Sequence, residues 1–143
     1  MPLTMLLYVL LAGMLQAAVQ PMEQETLKTY LENGAPFDFI LIDVRGADEI
    51  TKAIGNESCK PYNLAWPDGL KDIGEKVPKD REIVIYCQSG NRAARAANFL
   101  TASGYTNVHN AGGIRTWTGP TVPPSEIKPA SLLPEPSMRA TPK

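Results

Sequence analysis

The residues with the most evident chemistry are a cysteine and an arginine in the middle of the chain. Cys87 and Arg92 are separated by four residues, Gln88, Ser89, Gly90 and Asn91. A cysteine thiolate is a strong nucleophile, and an arginine guanidinium holds an anion through its planar fork of N–H donors. The pair therefore predicts a site at which the sulfur of Cys87 attacks a substrate that carries an anionic group.

The flanking sequence predicts a strand before Cys87 and a helix after it. Ile83 to Tyr86 is a short β-branched run bounded by charged residues, which is typical of a buried parallel strand. From Arg92 to Ser103 the chain is rich in alanine, with apolar residues at helical spacing. The backbone N–H groups of the loop and of the helix N-terminus should therefore converge on one concave anion site that favours a thiolate.

The loop Cys87-x-Ser89-Gly90-x-Arg92 resembles the active-site loop of the rhodanese family of sulfurtransferases. Two further segments resemble the family in the same order: residues 40–45 are similar to its strand that ends in Asp-Val-Arg, and residues 104–117 to its closing strand and last helix. The resemblance implies a sulfurtransferase that moves sulfane sulfur from thiosulfate or a similar donor to cyanide or a thiol acceptor. The sulfur would be held as a persulfide on Cys87, and no cofactor is implied.

The expected site has three groups of residues. Cys87 is the catalytic residue, and the substrate-binding residues are Gln88, Ser89, Gly90, Asn91 and Arg92. Supporting roles are predicted for Asp43, Arg45 and Trp66, because each follows a strand at the edge where an open parallel sheet forms its functional crevice. Asp43 is expected to hold backbone N–H groups of the loop, and Trp66 to form an apolar wall or a plain packing contact. The alternative to a site role for Arg45 is a position on the solvated surface.

Two other functions stay open at this point. Cysteine phosphatases and arsenate reductases of the Cys-x5-Arg type also cradle an oxyanion over a helix N-terminus, but their loop is one residue longer, and the shorter loop suits a single sulfur atom better than a phosphate. A non-catalytic rhodanese-like module would only bind partners. The presence of both Cys87 and Arg92 argues against such a module, although a fold alone never establishes function.

The alternation of the remaining elements predicts a rhodanese-like α/β fold, a parallel β-sheet of about five strands with helices on both faces. The expected helices are 23–33, 47–54, 68–77, 92–103 and a last short one to Trp117, and the expected strands are 37–44, 62–64, 83–86 and 107–109. Cys59 should lie at the opposite edge from Cys87, too far away for a disulfide. His109 is the single histidine and has no partner at metal-ligand spacing, so no metal site is expected.

The composition favours one globular domain between two different segments. The chain has 143 residues, of which 43% are hydrophobic, and this suits one core over residues 19–119. The apolar residues 1–18 predict a signal peptide, or a membrane anchor if they are not cleaved, so export to the periplasm is expected. Residues 120–143 hold seven of the thirteen prolines and predict a disordered or extended tail. With a net charge of -1, the chain offers no overall basic surface for nucleic acid.

Overall fold

The computed structural model of the protein describes residues 18–74 and 76–133. The predicted signal peptide or anchor and residues 134–143 of the predicted tail lie outside the described residues, apart from residue 18. Among the helices of the described ranges, none is long and apolar enough to cross a membrane.

The described chain forms two α-helices and seven short strands. The strands are β1 (Gln20–Pro21), β2 (Phe39–Asp43), β3 (Ala53–Ile54), β4 (Tyr62–Asn63), β5 (Glu82–Cys87), β6 (Val108–Gly113) and β7 (Thr121–Val122). The α-helices are α1 (Gln24–Asn33) and α2 (Asn91–Ala102). Short 3-10 helices span Ala47–Glu49, Asp68–Ile73, Ile114–Thr116, Pro124–Glu126 and Ala130–Leu132.

Five of the strands form one parallel sheet in the order β1-β6-β5-β2-β4. β5 lies at its centre, paired with β2 on one side and with β6 on the other. Asp43 ends β2 opposite Tyr86, and Cys87 lies opposite Gly113 at the end of β6. The carboxyl ends of the three strands therefore meet around Cys87.

Side chains alternate between the two faces of the sheet along each strand, and an α-helix packs on each face. Both faces are therefore buried. On one face, Ile83 and Ile85 share a core cluster with the alanine-rich side of α2. On the other face, Val84 packs in a second cluster with Leu27 and Leu31 of α1. The predicted architecture, a parallel sheet of five strands with helices on both faces, is confirmed.

Three of the predicted helices are shorter than expected. Residues 47–54 contain one 3-10 turn and then β3, which pairs antiparallel with β7. The local sequence pattern does not reveal this pairing, because β7 lies in the proline-rich segment for which no strand is predicted. The helix predicted over residues 68–77 is a 3-10 helix that ends at Ile73, and the last predicted helix is the single turn Ile114–Thr116. Gly69 and Gly74 disfavour a longer helix over residues 68–77.

Residues 120–133, hereafter the C-terminal segment, pack against the domain. Of the two alternatives that the sequence predicted for them, a disordered or an extended tail, the structure shows extended chain with β7 and two 3-10 helices. Val122 and Leu133 are buried at 6% and 5% exposure. The Lys128 N–H donates to the Pro61 carbonyl oxygen at 2.9 Å, and the Asn63 N–H donates to the Lys128 carbonyl oxygen at 3.1 Å. Prolines hold the chain extended without helical or alternating periodicity, and such a chain can lie along the edge of β4. The segment therefore covers this edge of the sheet.

Truncation after Gly119 should destabilise the domain. The truncation exposes the apolar surface that Val122 and Leu133 cover, and burial of one such side chain contributes about 1.5–3 kcal/mol. We expect the free energy of unfolding, measured by urea denaturation, to fall by about 3 kcal/mol. Truncation after Leu133 is the control, since it keeps all of these contacts. Equal unfolding midpoints for the two truncated proteins would contradict the packing role of the segment.

Candidate functional site

Cys87 is the last residue of β5, and it is completely buried. Two backbone N–H groups point at its Sγ: that of Gly90 at 3.0 Å and that of Ala93 at 3.4 Å. Gly90 is the residue before α2, and Ala93 lies in the first turn of that helix. The sulfur therefore lies over the N-terminus of α2, where free N–H groups and the helix dipole stabilise negative charge.

The loop that encloses the sulfur depends on two glycines, Gly90 within the loop and Gly113 beneath it. Gly90 has a φ of 104°, in the left-handed region that glycine adopts without a steric penalty. Gly113 lies directly beneath the loop, and a Cβ built there would be 2.2 Å from the Gln88 carbonyl oxygen. The same oxygen accepts the Arg115 N–H at 3.1 Å. Gly113 lies in the segment that resembles the family's closing strand, and the structure shows that it supports the loop.

The other predicted loop residues lie at the surface around the enclosed thiol. Gln88, Ser89 and Asn91 are exposed, whereas Cys87 beneath them has no measurable exposure. A reactant therefore reaches the sulfur only when the loop opens locally. The backbone provides the N–H groups that point at the sulfur. The exposed side chains of these three residues are therefore available to contact a substrate that enters the loop.

Arg92 lies beside the loop and forms an ion pair with Glu49. Its Nη1 donates to Glu49 Oε2 at 2.9 Å and its Nη2 donates to Oε1 at 2.5 Å. The guanidinium lowers the pKa of Glu49 to about 2, and the carboxylate raises the pKa of Arg92, which also interacts electrostatically with Cys87. The predicted anion-binding arginine is thus near the sulfur, but Glu49 occupies its fork. Sequence reasoning missed Glu49, which lies four residues after Arg45 in an acidic pair.

Arg45 is buried at 2% exposure, so the alternative of a solvated surface position is wrong. Its Nε donates to Asp43 Oδ1 at 3.0 Å and its Nη2 donates to Oδ2 at 2.7 Å. Nη2 also donates to the Lys52 carbonyl oxygen at 2.8 Å. Burial opposes the charge of Arg45, but the Asp43 carboxylate outweighs this effect and raises the pKa of the guanidinium. The Asp43 carboxylate and the Lys52 carbonyl oxygen thus offset the cost of burying this guanidinium.

Asp43 holds a backbone N–H group as predicted, but the group belongs to Arg45, at 2.9 Å, and not to the cysteine loop. Tyr86 completes this buried group: its hydroxyl oxygen accepts the Ile54 N–H at 3.0 Å. Burial, reinforced by the nearby Asp43 carboxylate, raises the pKa of Tyr86, so its hydroxyl stays neutral. Arg45 Nη1 reaches Gln88 Oε1 at 3.4 Å and links the buried polar group to the loop.

The structure places Trp66 against α2 and against the core cluster that includes Cys87. Its ring packs edge-on against Phe99 at 5.9 Å between ring centres. Phe99 lies eight residues into α2, which corresponds to about 12 Å along a helix. Of the two roles predicted for Trp66, an apolar wall or plain packing, the structure shows the packing contact with the helix.

The remaining candidates lie away from the loop. Cys59 is a partly buried cysteine that forms no disulfide and packs against the core cluster of α1. His109 lies opposite Val84, and its Nε2 is 2.6 Å from Glu82 Oε2. Within residues 18–74 and 76–133, no group of His, Cys, Asp and Glu residues could hold a metal ion. The described site therefore consists of the loop, α2, Glu49 and the buried pair of Asp43 and Arg45.

In this protein the central parallel strand ends in a cysteine, and the sulfur of that cysteine lies in a loop at the N-terminus of the next helix. This arrangement defines the class of the protein, an α/β protein with a cysteine loop at the carboxyl end of its sheet. The chain belongs to the family of the rhodanese-like domain, whose family model matches residues 23–119. The resemblance inferred from the loop sequence is confirmed by this match.

Similar proteins agree with this assignment. The chain is 39% identical over 82 residues to a sulfurtransferase of Allochromatium vinosum, covering 56% of this chain and 72% of the relative. It is 33% identical over 97 residues to thiosulfate sulfurtransferase 18 of Arabidopsis thaliana, covering 60% and 68%. The solution structure of the rhodanese-like domain of the Alr3790 protein from Anabaena sp. shares the fold, with a TM-score of 0.63 and 23% identity over 88% of this chain and 89% of that one. At the level of the family, these relatives support a sulfurtransferase of the rhodanese type.

Proposed function

We propose that this protein transfers sulfane sulfur from thiosulfate or a similar donor to cyanide or a thiol, through a persulfide on Cys87. The observation that carries the proposal is the pair of N–H groups from Gly90 and Ala93 that point at Sγ. They stabilise negative charge on the thiolate, and the same loop can hold a persulfide anion one atom longer. Relatives named as sulfurtransferases support the same reaction class.

The reaction needs only the sulfur and an anion-stabilising loop. The Cys87 thiolate attacks the outer sulfur of thiosulfate, the sulfur–sulfur bond of the donor breaks, and its electron pair leaves with sulfite. Cyanide then attacks the outer sulfur of the persulfide, and thiocyanate and the Cys87 thiolate are released. A thiol acceptor becomes a persulfide in the same way. No general base takes part when Cys87 reacts as a thiolate, so the absence of a histidine at the described site is consistent with this chemistry.

The direction of the N–H groups favours sulfur transfer over phosphoryl chemistry. A phosphatase loop must direct its N–H groups at the oxygens of a bound phosphate, whereas here those of Gly90 and Ala93 are directed at the sulfur itself.

Intact-mass measurement after incubation with thiosulfate tests the proposal. We expect the protein to gain the mass of one sulfur atom, to lose it on addition of cyanide, and to release one equivalent of thiocyanate. Hydrolysis of a phosphate ester without a gain of sulfur would overturn the proposal in favour of a phosphatase. No reaction with thiosulfate, polysulfide or phosphate esters would instead indicate a binding module.

A further inference from the structure

The ion pair between Arg92 and Glu49 has a geometry that affects which donors reach the sulfur. Both Nη atoms of Arg92 bind the two carboxylate oxygens of Glu49, which is the arrangement that an oxyanion of a substrate would need. Glu49 is itself held in place, because its Oε2 accepts the Gly46 N–H at 3.2 Å. The carboxylate therefore occupies the position of a substrate anion on this arginine.

Solvent can reach this ion pair, so the pair can open. The side chains of Arg92 and Glu49 are 35% and 38% exposed, in contrast to the buried pair of Asp43 and Arg45. Exposed ion pairs contribute little stability, and an incoming anion can displace one partner. The pKa of Glu49 is about 2, so the competing carboxylate is charged throughout the neutral range. An anionic donor must therefore displace Glu49 and also approach its negative charge.

We propose that Glu49 is a specificity-determining residue that disfavours donors with an anionic sulfonate beside the sulfane sulfur and favours donors without an oxyanion, such as alkyl persulfides. This inference rests on the proposed sulfur transfer. With an alkyl persulfide, the Cys87 thiolate attacks the outer sulfur, the donor's sulfur–sulfur bond breaks, and the electron pair leaves with the alkyl thiolate. That donor presents no oxyanion to Arg92, so the carboxylate of Glu49 does not compete with it.

Two alkylating agents that differ mainly in charge test the electrostatic part of the proposal without any sulfur transfer. In a Cys59→Ser background, we expect Glu49→Gln to raise the rate ratio of iodoacetate to iodoacetamide at Cys87 about two- to fivefold, a range typical of one exposed charge pair. High salt should reduce this effect. Glu49→Ala is the second variant, and the same direction is expected if glutamine disturbs the turn.

Asp48→Asn is the matched control, because it removes the same charge one residue away and Asp48 is exposed. Its rate ratio should stay within the error of the parent protein. An equal change in Asp48→Asn, or an unchanged ratio in both Glu49 variants, would overturn the inference.

Steady-state kinetics test the choice of donor. Glu49→Gln should raise kcat/KM for thiosulfate about two- to fivefold and change kcat/KM for an alkyl persulfide by less than about twofold. Equal changes for the two donors would overturn the inference. If the protein transfers no sulfur from either donor while the alkylation ratio responds as expected, the proposed function fails, but the selection by Glu49 against anions at Cys87 stands.

Discussion

Replacement of Cys87 by serine should abolish thiosulfate-dependent thiocyanate formation. A serine hydroxyl is not ionised at neutral pH, and an oxygen at this position cannot carry the transferred sulfur as a persulfide. The fold should survive because the substitution is small and the N–H groups of Gly90 and Ala93 can still donate to the hydroxyl oxygen. Thiocyanate release and intact mass after incubation with thiosulfate are the measurements.

Cys59→Ser is the control for this experiment. Cys59 packs against the α1 cluster, away from the loop, and forms no disulfide, so its substitution should leave most of the activity. Equal losses in the two variants would show that sulfur passes through both cysteines. Substantial activity in Cys87→Ser would remove the basis of the proposed reaction.

Asp43→Ala should lower the free energy of unfolding by about 3–5 kcal/mol, the usual cost of breaking a buried ion pair by removing one partner. Asp43 is fully buried, and without its carboxylate the charge of Arg45 stays in the core with only the Lys52 carbonyl oxygen and the distant Gln88 amide as acceptors. The strand ends beneath the loop should then rearrange. Urea denaturation measures the change.

Glu126→Ala is the matched control, since it breaks the ion pair between Lys60 and Glu126 at the surface. Their side chains are 33% and 40% exposed, and such pairs contribute about 0–1 kcal/mol. Asp43→Ala and Glu126→Ala should therefore differ clearly in unfolding midpoint. Similar midpoints would show that the pair of Asp43 and Arg45 contributes no more than a surface ion pair.

The central part of the fold could be predicted because its signals are local. The β-branched run before Cys87 and the alanine-rich run after it each contain the information for one element, and the loop between them has fixed positions for Gly90 and Arg92. Once the chain alternates between strands and helices, a parallel sheet follows. The position of Cys87 at the carboxyl end of the central strand then follows from the order of the elements along the chain.

The features that could not be predicted depend on partners far away in the sequence. β3 forms because it pairs with β7, which lies far along the chain. The pairing of Glu49 with Arg92 joins residues on two different elements, the 3-10 turn after β2 and the first turn of α2. None of these contacts leaves a periodic signal in its own segment.

The two ends of the described chain lie at opposite edges of the sheet. β1 forms one edge, and the C-terminal segment covers β4 at the other. Four interstrand spacings separate these edges, which corresponds to roughly 19 Å. A fusion partner attached before β1 would therefore extend from a different side of the domain than one attached after Leu133, and a circular permutant would need a linker of at least about six extended residues to join the two sides.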